Sequence, residues 1–326
     1  MAAARPTSGT MIETRELART YKARKTVVEA VRGVDLQVGA GEIFGFLGPN
    51  GAGKTTTLRM LATLLTPTSG DATVAGADLK REPQTVRERI GYVPQGGSTD
   101  PAETGRGELV IQGRLYGMSM SQAQARAREV LASLDLESAA DRTTSTYSGG
   151  MKRRLDVGLG IVHQPAVLFL DEPTTGLDPQ ARAHMWDEIR KLRAQGTTVF
   201  LTTHYLEEAD ALADRLAIID QGKIVAEGTA DELKRQVAGD VITVGVNGAT
   251  ERVLETVRLQ PFVRDASGED GLVRLYVDRG EEAMPQILRL LDGVGLAPSS
   301  IALHRPSLDD VFLIQTGRSL RDEAAA

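Results

Sequence analysis

The run Gly48-Pro49-Asn50-Gly51-Ala52-Gly53-Lys54-Thr55-Thr56 constrains this chain more than any other segment. It fits G-x-x-x-x-G-K-[ST], a loop that wraps an anion in backbone N–H groups. Glu42 to Leu47 before it is short and apolar, as a buried strand is, and Thr56 to Ala62 after it can run as a helix. Strand, glycine loop and helix form the context the pattern requires. Glycines allow the tight turn, and the helix adds the positive end of its dipole. Lys54 can reach the outer phosphates of a nucleotide, and the Thr55 hydroxyl can ligate Mg²⁺.

The surrounding pattern predicts an α/β domain from Met11 to about Val237, with a largely parallel sheet, after a disordered leader over residues 1–10. Between about Pro101 and Gln164 the alternation stops. No strand is expected there, and Gln122 to Leu134 is strongly helix-forming, which predicts a helical insertion. Ala166 to Leu170 and Thr197 to Thr203 are continuous apolar or β-branched runs, expected as strands buried on both faces. Arg215 to Asp220 and Lys223 to Ala226 flank Gln221-Gly222 and predict a hairpin. Beyond Asp240 the order strand, helix, two strands around Ser267-Gly268, helix, strand predicts a small ferredoxin-like accessory domain over residues 240–326.

Several short segments carry candidate chemistry. Leu168-Phe169-Leu170-Asp171-Glu172-Pro173 sets two carboxylates at the end of a buried strand, where parallel sheets bind ligands. Asp171 suits a Mg²⁺ contact and Glu172 can polarise water beside a γ-phosphate. Ser148-Gly149-Gly150 precedes a helix-capable run, with Ser148 as N-cap, and offers a second seat for an anion. On these residues alone a capped helix after a loop is the favoured explanation. His204 and Gln95 each follow a strand. The first can donate to phosphate and the second can reach a metal or its water. Tyr21 can stack on a base.

The order of these motifs resembles the nucleotide-binding subunits of ATP-binding-cassette transporters over about Met11 to Val237. Gly48 to Thr56 looks like the family's Walker A loop, Val93-Pro94-Gln95 its Q-loop and Ser148-Gly149-Gly150 its signature motif. Val167 to Glu172 resembles the Walker B strand, Gly176-Leu177-Asp178 the D-loop, His204 the switch histidine and Tyr21 the adenine-stacking aromatic. The usual signature has Leu and Gln where this chain has Tyr147 and Met151. Those flanks, with Arg305 to Leu313 near the end, resemble the daunorubicin-resistance branch that pairs with type-2 permeases. On its residues alone the acidic pair Asp309-Asp310 in that stretch reads as a solvated helix start.

The resemblance implies an ATPase. Two cassettes would close head to tail around two ATP molecules, each bracketed by Walker A of one chain and Ser148 to Gly150 of the other. Lys54 and the loop amides would hold phosphate, and Thr55, Gln95 and Asp171 would hold Mg²⁺. Glu172 would polarise the attacking water, His204 would fix the γ-phosphate, and Asp178 would link the two sites. With one copy of each motif, a homodimer is expected.

The chain has 326 residues, 41% hydrophobic and 25% charged, as soluble globular proteins do. Its 0 cysteines exclude disulfides and thiolate metal sites, and its net charge of −6 gives no overall drive toward nucleic acid, so no nucleic-acid partner is expected. No stretch approaches the roughly 20 apolar residues of a membrane span. The expected place is the cytoplasm, on the inner face of the membrane through an integral permease that would choose the cargo. A DNA-maintenance cassette would carry a long coiled coil between Lys54 and Ser148, and a translation factor would carry two cassettes. A purely regulatory cassette fits poorly with intact Glu172 and His204.

Overall fold

The computed structural model describes residues 9–23, 26–236, 239–246, 250–269, 271–304 and 306–317. The chain divides between Thr229 and Ala230 into two compact units. The first runs β1 (Thr10–Ala23), β2 (Thr26–Gly39), β3 (Ile43–Leu47), α1 (Lys54–Leu61), β4 (Ser69–Val74), β5 (Ala77–Asp78), α2 (Pro83–Arg89) and β6 (Ile90–Val93). It continues α3 (Gly105–Leu115), α4 (Met120–Ser133), α5 (Gly149–Ile161), β7 (Val167–Asp171), α6 (Pro179–Ala194), β8 (Thr198–Thr203), α7 (Leu206–Leu212), β9 (Arg215–Asp220) and β10 (Lys223–Gly228).

Six strands form the central sheet in the order β10-β9-β3-β8-β7-β6, parallel except for the β9–β10 hairpin. Its inner strands β3, β7 and β8 are buried on both faces, which is why they read as unbroken apolar or β-branched runs. On one face Phe44, Phe46 and Phe169 surround Phe200 at 5.6–5.8 Å between rings, and Leu58 and Leu61 of α1 join that core. On the other, Leu168, Leu170, Val199 and Leu201 meet Leu155 of α5 and Ile189 of α6.

A second sheet departs from the expected parallel pattern. Strands β2-β1-β4-β5 pair antiparallel throughout, because long hairpin strands with bulges need no crossover helix. Of the leader, residues 1–8 lie outside the described residues. Thr10 already belongs to β1, and the Gly9 carbonyl accepts from Ala40 N, so β1 begins within the expected leader. Between Pro101 and Gln164 stand three α-helices and two short 3₁₀ turns.

His163 follows α5 in this helical part. Its Nε2 lies 2.8 Å from the Ile90 carbonyl, its ring stacks on Tyr116 at 3.6 Å, and its Nδ1 is buried without a partner. Burial lowers its pKa from 6.5 to about 4. The unfolded chain therefore binds a proton there before the folded one does, and stability should fall as pH drops from 6.5 toward 4. Urea midpoints across that window should show the loss, and His163→Gln should remove this component.

The second unit is α8 (Ala230–Gln236), β11 (Asp240–Gly245), α9 (Thr250–Arg258), β12 (Val263–Glu269), β13 (Leu272–Val277), α10 (Gly280–Gly293), β14 (Ser300–His304) and α11 (Leu308–Thr316). Its sheet is antiparallel in the order β12-β13-β11-β14, the ferredoxin-like arrangement. Val273, Leu275 and Val277 face a core with Val253 and Val257 of α9 and Ile287 of α10. Two local expectations are corrected. Ser267-Gly268 is not the turn but part of β12, and a Cβ at Gly268 would stand 2.5 Å from the Thr250 side chain, so this glycine serves close helix packing. Asp309 and Asp310 are not a solvated helix start but are buried. Asp310 closes a capping box with Ser307 and accepts from the Tyr276 hydroxyl, and Arg274 stands 3.9 Å from Asp309.

Candidate functional site

Because β3, β6, β7 and β8 run parallel in one sheet, their C-terminal ends lie side by side. Leu47 pairs with Thr203, Asp171 with Thr202 and Val93 with Leu170. Gly48, Gln95, Glu172 and His204, each just past a strand, are therefore delivered to one edge.

The loop from Gly48 to Thr56 is built around two close approaches. A Cβ on Gly48 would stand 2.2 Å from the Ile219 carbonyl oxygen, and one on Gly53, at φ 109°, 2.5 Å from that of Ala30. Pro49 and Ala52 are buried, whereas Asn50 and Gly51 face solvent and Thr55 and Thr56 are half-buried. The Ala52 carbonyl accepts from Gly222 N, which ties the loop to the β9–β10 turn. Gly53 caps α1 with its backbone alone and leaves the first N–H groups of that helix directed at the loop.

Lys54 is 4% exposed and its ammonium donates to the carbonyls of Gly48 and Pro49, at 2.7 and 2.9 Å. It also stands 3.5 Å from Glu172 Oε1. Burial lowers its pKa, against the pull of Glu172. Glu172 Oε2 accepts from Gln95 Nε2 at 2.9 Å and from the Thr175 hydroxyl at 3.2 Å. His204 Nδ1 lies 3.1 Å from the same oxygen, within ion-pair distance but angled so that it makes no regular hydrogen bond. Burial pushes the Glu172 carboxyl up, but the His204 contact and the Lys54 charge outweigh it and hold it below the ordinary glutamate range. Glu172 adopts φ 46°, a strained value for a side chain of this kind. Asp171 Oδ1 accepts from Thr55 and Thr202 hydroxyls at 3.0 and 2.8 Å, while its Oδ2 is buried and unpartnered.

The Ser148 segment belongs to a separate cleft of about 340 Å³, lined by Ser148, Gly149, Gly150, Gly176, Asp178 and His184 among others. Ser148 caps α5 by accepting from Met151 N, and Asp178 caps α6 by accepting from Ala181 N. The unusual flank Tyr147 is buried, with its hydroxyl donating to the Ala139 carbonyl. His184 sits 3.2 Å from Asp135 and 3.4 Å from Glu188, a trio of ligand type. Lys191 holds the same Glu188 oxygen at 2.8 Å, so the trio is satisfied as an ion-pair network. Tyr21 stands on the β1–β2 hairpin, 40% exposed, with Arg19 4.8 Å over one face of its ring.

Sequence reasoning missed Arg153. This buried residue of α5 donates to the carbonyls of Pro173, Pro94, Asp171 and Glu172 at 2.6–3.3 Å, fastening the Gln95 and Glu172 segments together. Its arginine among other basic residues of a helix gave no signal. Thr202 and Thr175 were missed too, although hydroxyls flanking strand-end carboxylates were there to be read.

Known proteins match this architecture. A family model described as ABC transporter covers residues 31–175, and one described as ATP-binding protein DrrA1-3-like, C-terminal domain, covers residues 228–316. The chain is 46% identical to the daunorubicin resistance ATP-binding protein DrrA3 of Streptomyces coeruleorubidus, over 91% of this chain and 94% of that one. It is 36% identical to the linearmycin resistance ATP-binding protein LnrL of Bacillus subtilis, over 96% and 100% of the two chains. Among solved structures, the dimeric post-hydrolysis state of the cassette MJ0796 bound to ADP and Pi aligns with TM-score 0.62 and 25% identity. It covers 67% of this chain and 98% of that one.

Proposed function

The chain belongs to the ABC transporter family of ATP-binding proteins, and we propose that it is the ATP-hydrolysing subunit of an exporter for a drug or antibiotic-like compound. It would act as a homodimer beneath a separate membrane permease. Among the described residues no helix is long and apolar enough to cross a membrane, and in this reading the permease supplies the path for cargo. The names of the similar chains, resistance proteins for daunorubicin and linearmycin, support the cargo class.

The observation that carries the reading is the meeting of Glu172 with Lys54, Gln95 and His204 at the ends of parallel strands. In this reading Lys54 and the amides of the Gly48–Thr56 loop bind the phosphates, Glu172 orients the attacking water and accepts its proton, and His204 holds the γ-phosphate. Ser148, Gly149 and Gly150 close on the nucleotide of the second copy, Asp178 relays between the sites and Tyr21 stacks on adenine. The unpartnered Oδ2 of Asp171, beside the Thr55 hydroxyl, fits a divalent cation. Thr55, Asp171 and the Gln95 amide oxygen would hold Mg²⁺, which supplies charge neutralisation at the phosphates.

The test is purification of the full chain with its permease, followed by ATPase assays with and without magnesium and with added drug. Magnesium-dependent hydrolysis, cooperative in ATP and stimulated by an exported compound, is the expected result. A chain that binds ATP and never hydrolyses it would overturn the reading.

A further inference from the structure

We propose that Glu208 is a positioning residue that ties the helix following His204 to the stretch between Glu172 and Asp178. The inference rests on the ATPase reading above. Glu208 lies on α7, four residues after His204, and is completely buried. Its Oε1 accepts from the Thr174 hydroxyl at 2.8 Å and from the Trp186 indole N–H at 3.2 Å. The Thr203 side chain lies beside the same carboxylate and offsets part of the desolvation that raises its pKa. Thr174 sits between Glu172 and Asp178, Thr203 directly precedes His204, and Trp186 lies on α6, the helix that Asp178 caps. One carboxylate thus touches three segments, each leading to a residue of the proposed site.

The same region is not fully satisfied. Glu208 Oε2 and Arg182 Nε are both buried without a partner. Arg182 reaches back toward the site through rings: its guanidinium lies 4.6 Å from the Tyr205 ring, which lies 4.1 Å from that of His204. A buried carboxylate oxygen with no donor is costly, and a fold that needed only filling here would use an apolar side chain. A carboxylate that can exchange partners suits a segment with two arrangements. When His204 engages phosphate, α7 moves with it, and Glu208 shifts its hold on Thr174 and Trp186. The stretch leading to Asp178 then follows. By linkage, closure at Asp178 favours the engaged position of His204 to the same extent.

The chain has 1 tryptophan, so its emission reports Trp186 alone. In full-length protein carrying Glu172→Gln, magnesium and ATP should change that emission. Adding Glu208→Ala should abolish the change. In the otherwise native chain Glu208→Ala should lower kcat by about tenfold to a hundredfold, as misplacement of a catalytic group does. KM for ATP should stay within about threefold, because uniform binding is untouched. Glu208→Gln, which keeps an oxygen for both donors, should restore most of the rate. Thr174→Val removes one link at constant shape and decides the matter if Glu208→Ala fails to fold; it should lower kcat and the emission change together. Native kcat in these variants, or a lowered kcat with the emission change at full amplitude, would overturn the proposal. So would a native ATPase whose emission ignores ATP, with the ATPase reading intact. A native chain without ATPase activity would remove both.

Discussion

Glu172→Gln should bind ATP, lose its turnover by about a hundredfold or more, and hold the dimer closed in the presence of ATP. The rate loss follows from the role of a general base, which contributes about 10²–10⁴-fold. The retention of binding follows from the geometry of Lys54. In the native chain its ammonium is shared between the Gly48 and Pro49 carbonyls and Glu172 Oε1. A neutral amide of the same size removes the competing charge and leaves Lys54 with its carbonyls and the phosphates. The amide also sets N–H groups among the donors of Gln95 and Thr175, which now face Glu172 Oε2. That side of the site loses its order, whereas the phosphate side does not. The measurements are equilibrium nucleotide binding, steady-state phosphate release, and size-exclusion chromatography with ATP and magnesium. ATPase activity near the native rate would remove Glu172 from the role of base and return it to a structural partner of Lys54.

The centre of the main sheet was legible because Ile43–Leu47, Val167–Asp171 and Thr198–Thr203 are buried on both faces and carry no alternation to confuse with a helix. Local turn chemistry located Gly48 to Thr56, and strand-end logic brought Gln95, Glu172 and His204 to it. The antiparallel sheet of β1, β2, β4 and β5 was not legible. Strand Thr26–Gly39 alternates cleanly only over Val34 to Val38, its start at Thr26 to Glu29 is exposed and without pattern, and its register shifts against β1 carry no local signature. The turn assigned to Ser267-Gly268 failed for a related reason: a glycine beside a serine looks the same whether it turns the chain or admits a helix. Asp309 and Asp310 misled because acidic residues at a helix start are ordinarily solvated, and only the tertiary fold supplies Tyr276 and Arg274 as partners. Arg153 was invisible because its role is to bond carbonyls of distant segments, and a carbonyl leaves no trace in side-chain identity.

Arg153 carries the other large expectation: Arg153→Met should both destabilise the first unit and slow hydrolysis, and Arg153→Lys should rescue neither fully. The guanidinium is buried, at 7% exposure, and desolvation lowers its pKa against the charges of Asp156 and Asp171. It is held by geometry: Nε, Nη1 and Nη2 reach carbonyls at the ends of two strands, Pro94 after β6 and Asp171, Glu172 and Pro173 at and after β7. Methionine fills the volume but leaves those carbonyls without their donor. At about 1–3 kcal/mol for each buried group left unsatisfied, and with partial relaxation, a loss of about 3 kcal/mol is expected. That corresponds to a fall of about 6–12 °C in the melting temperature of a unit this size. The kinetic effect comes from the same bonds. They set the spacing between Gln95 and Glu172, whose side chains meet at 2.9 Å, and Glu172 already sits at a strained φ that needs support. Lysine carries the charge as a single point and cannot fork across both segments. Arg153→Lys should therefore recover part of the stability and little of kcat. A lysine variant with native kcat would show that charge alone suffices here, and that the fork of hydrogen bonds does not place Glu172.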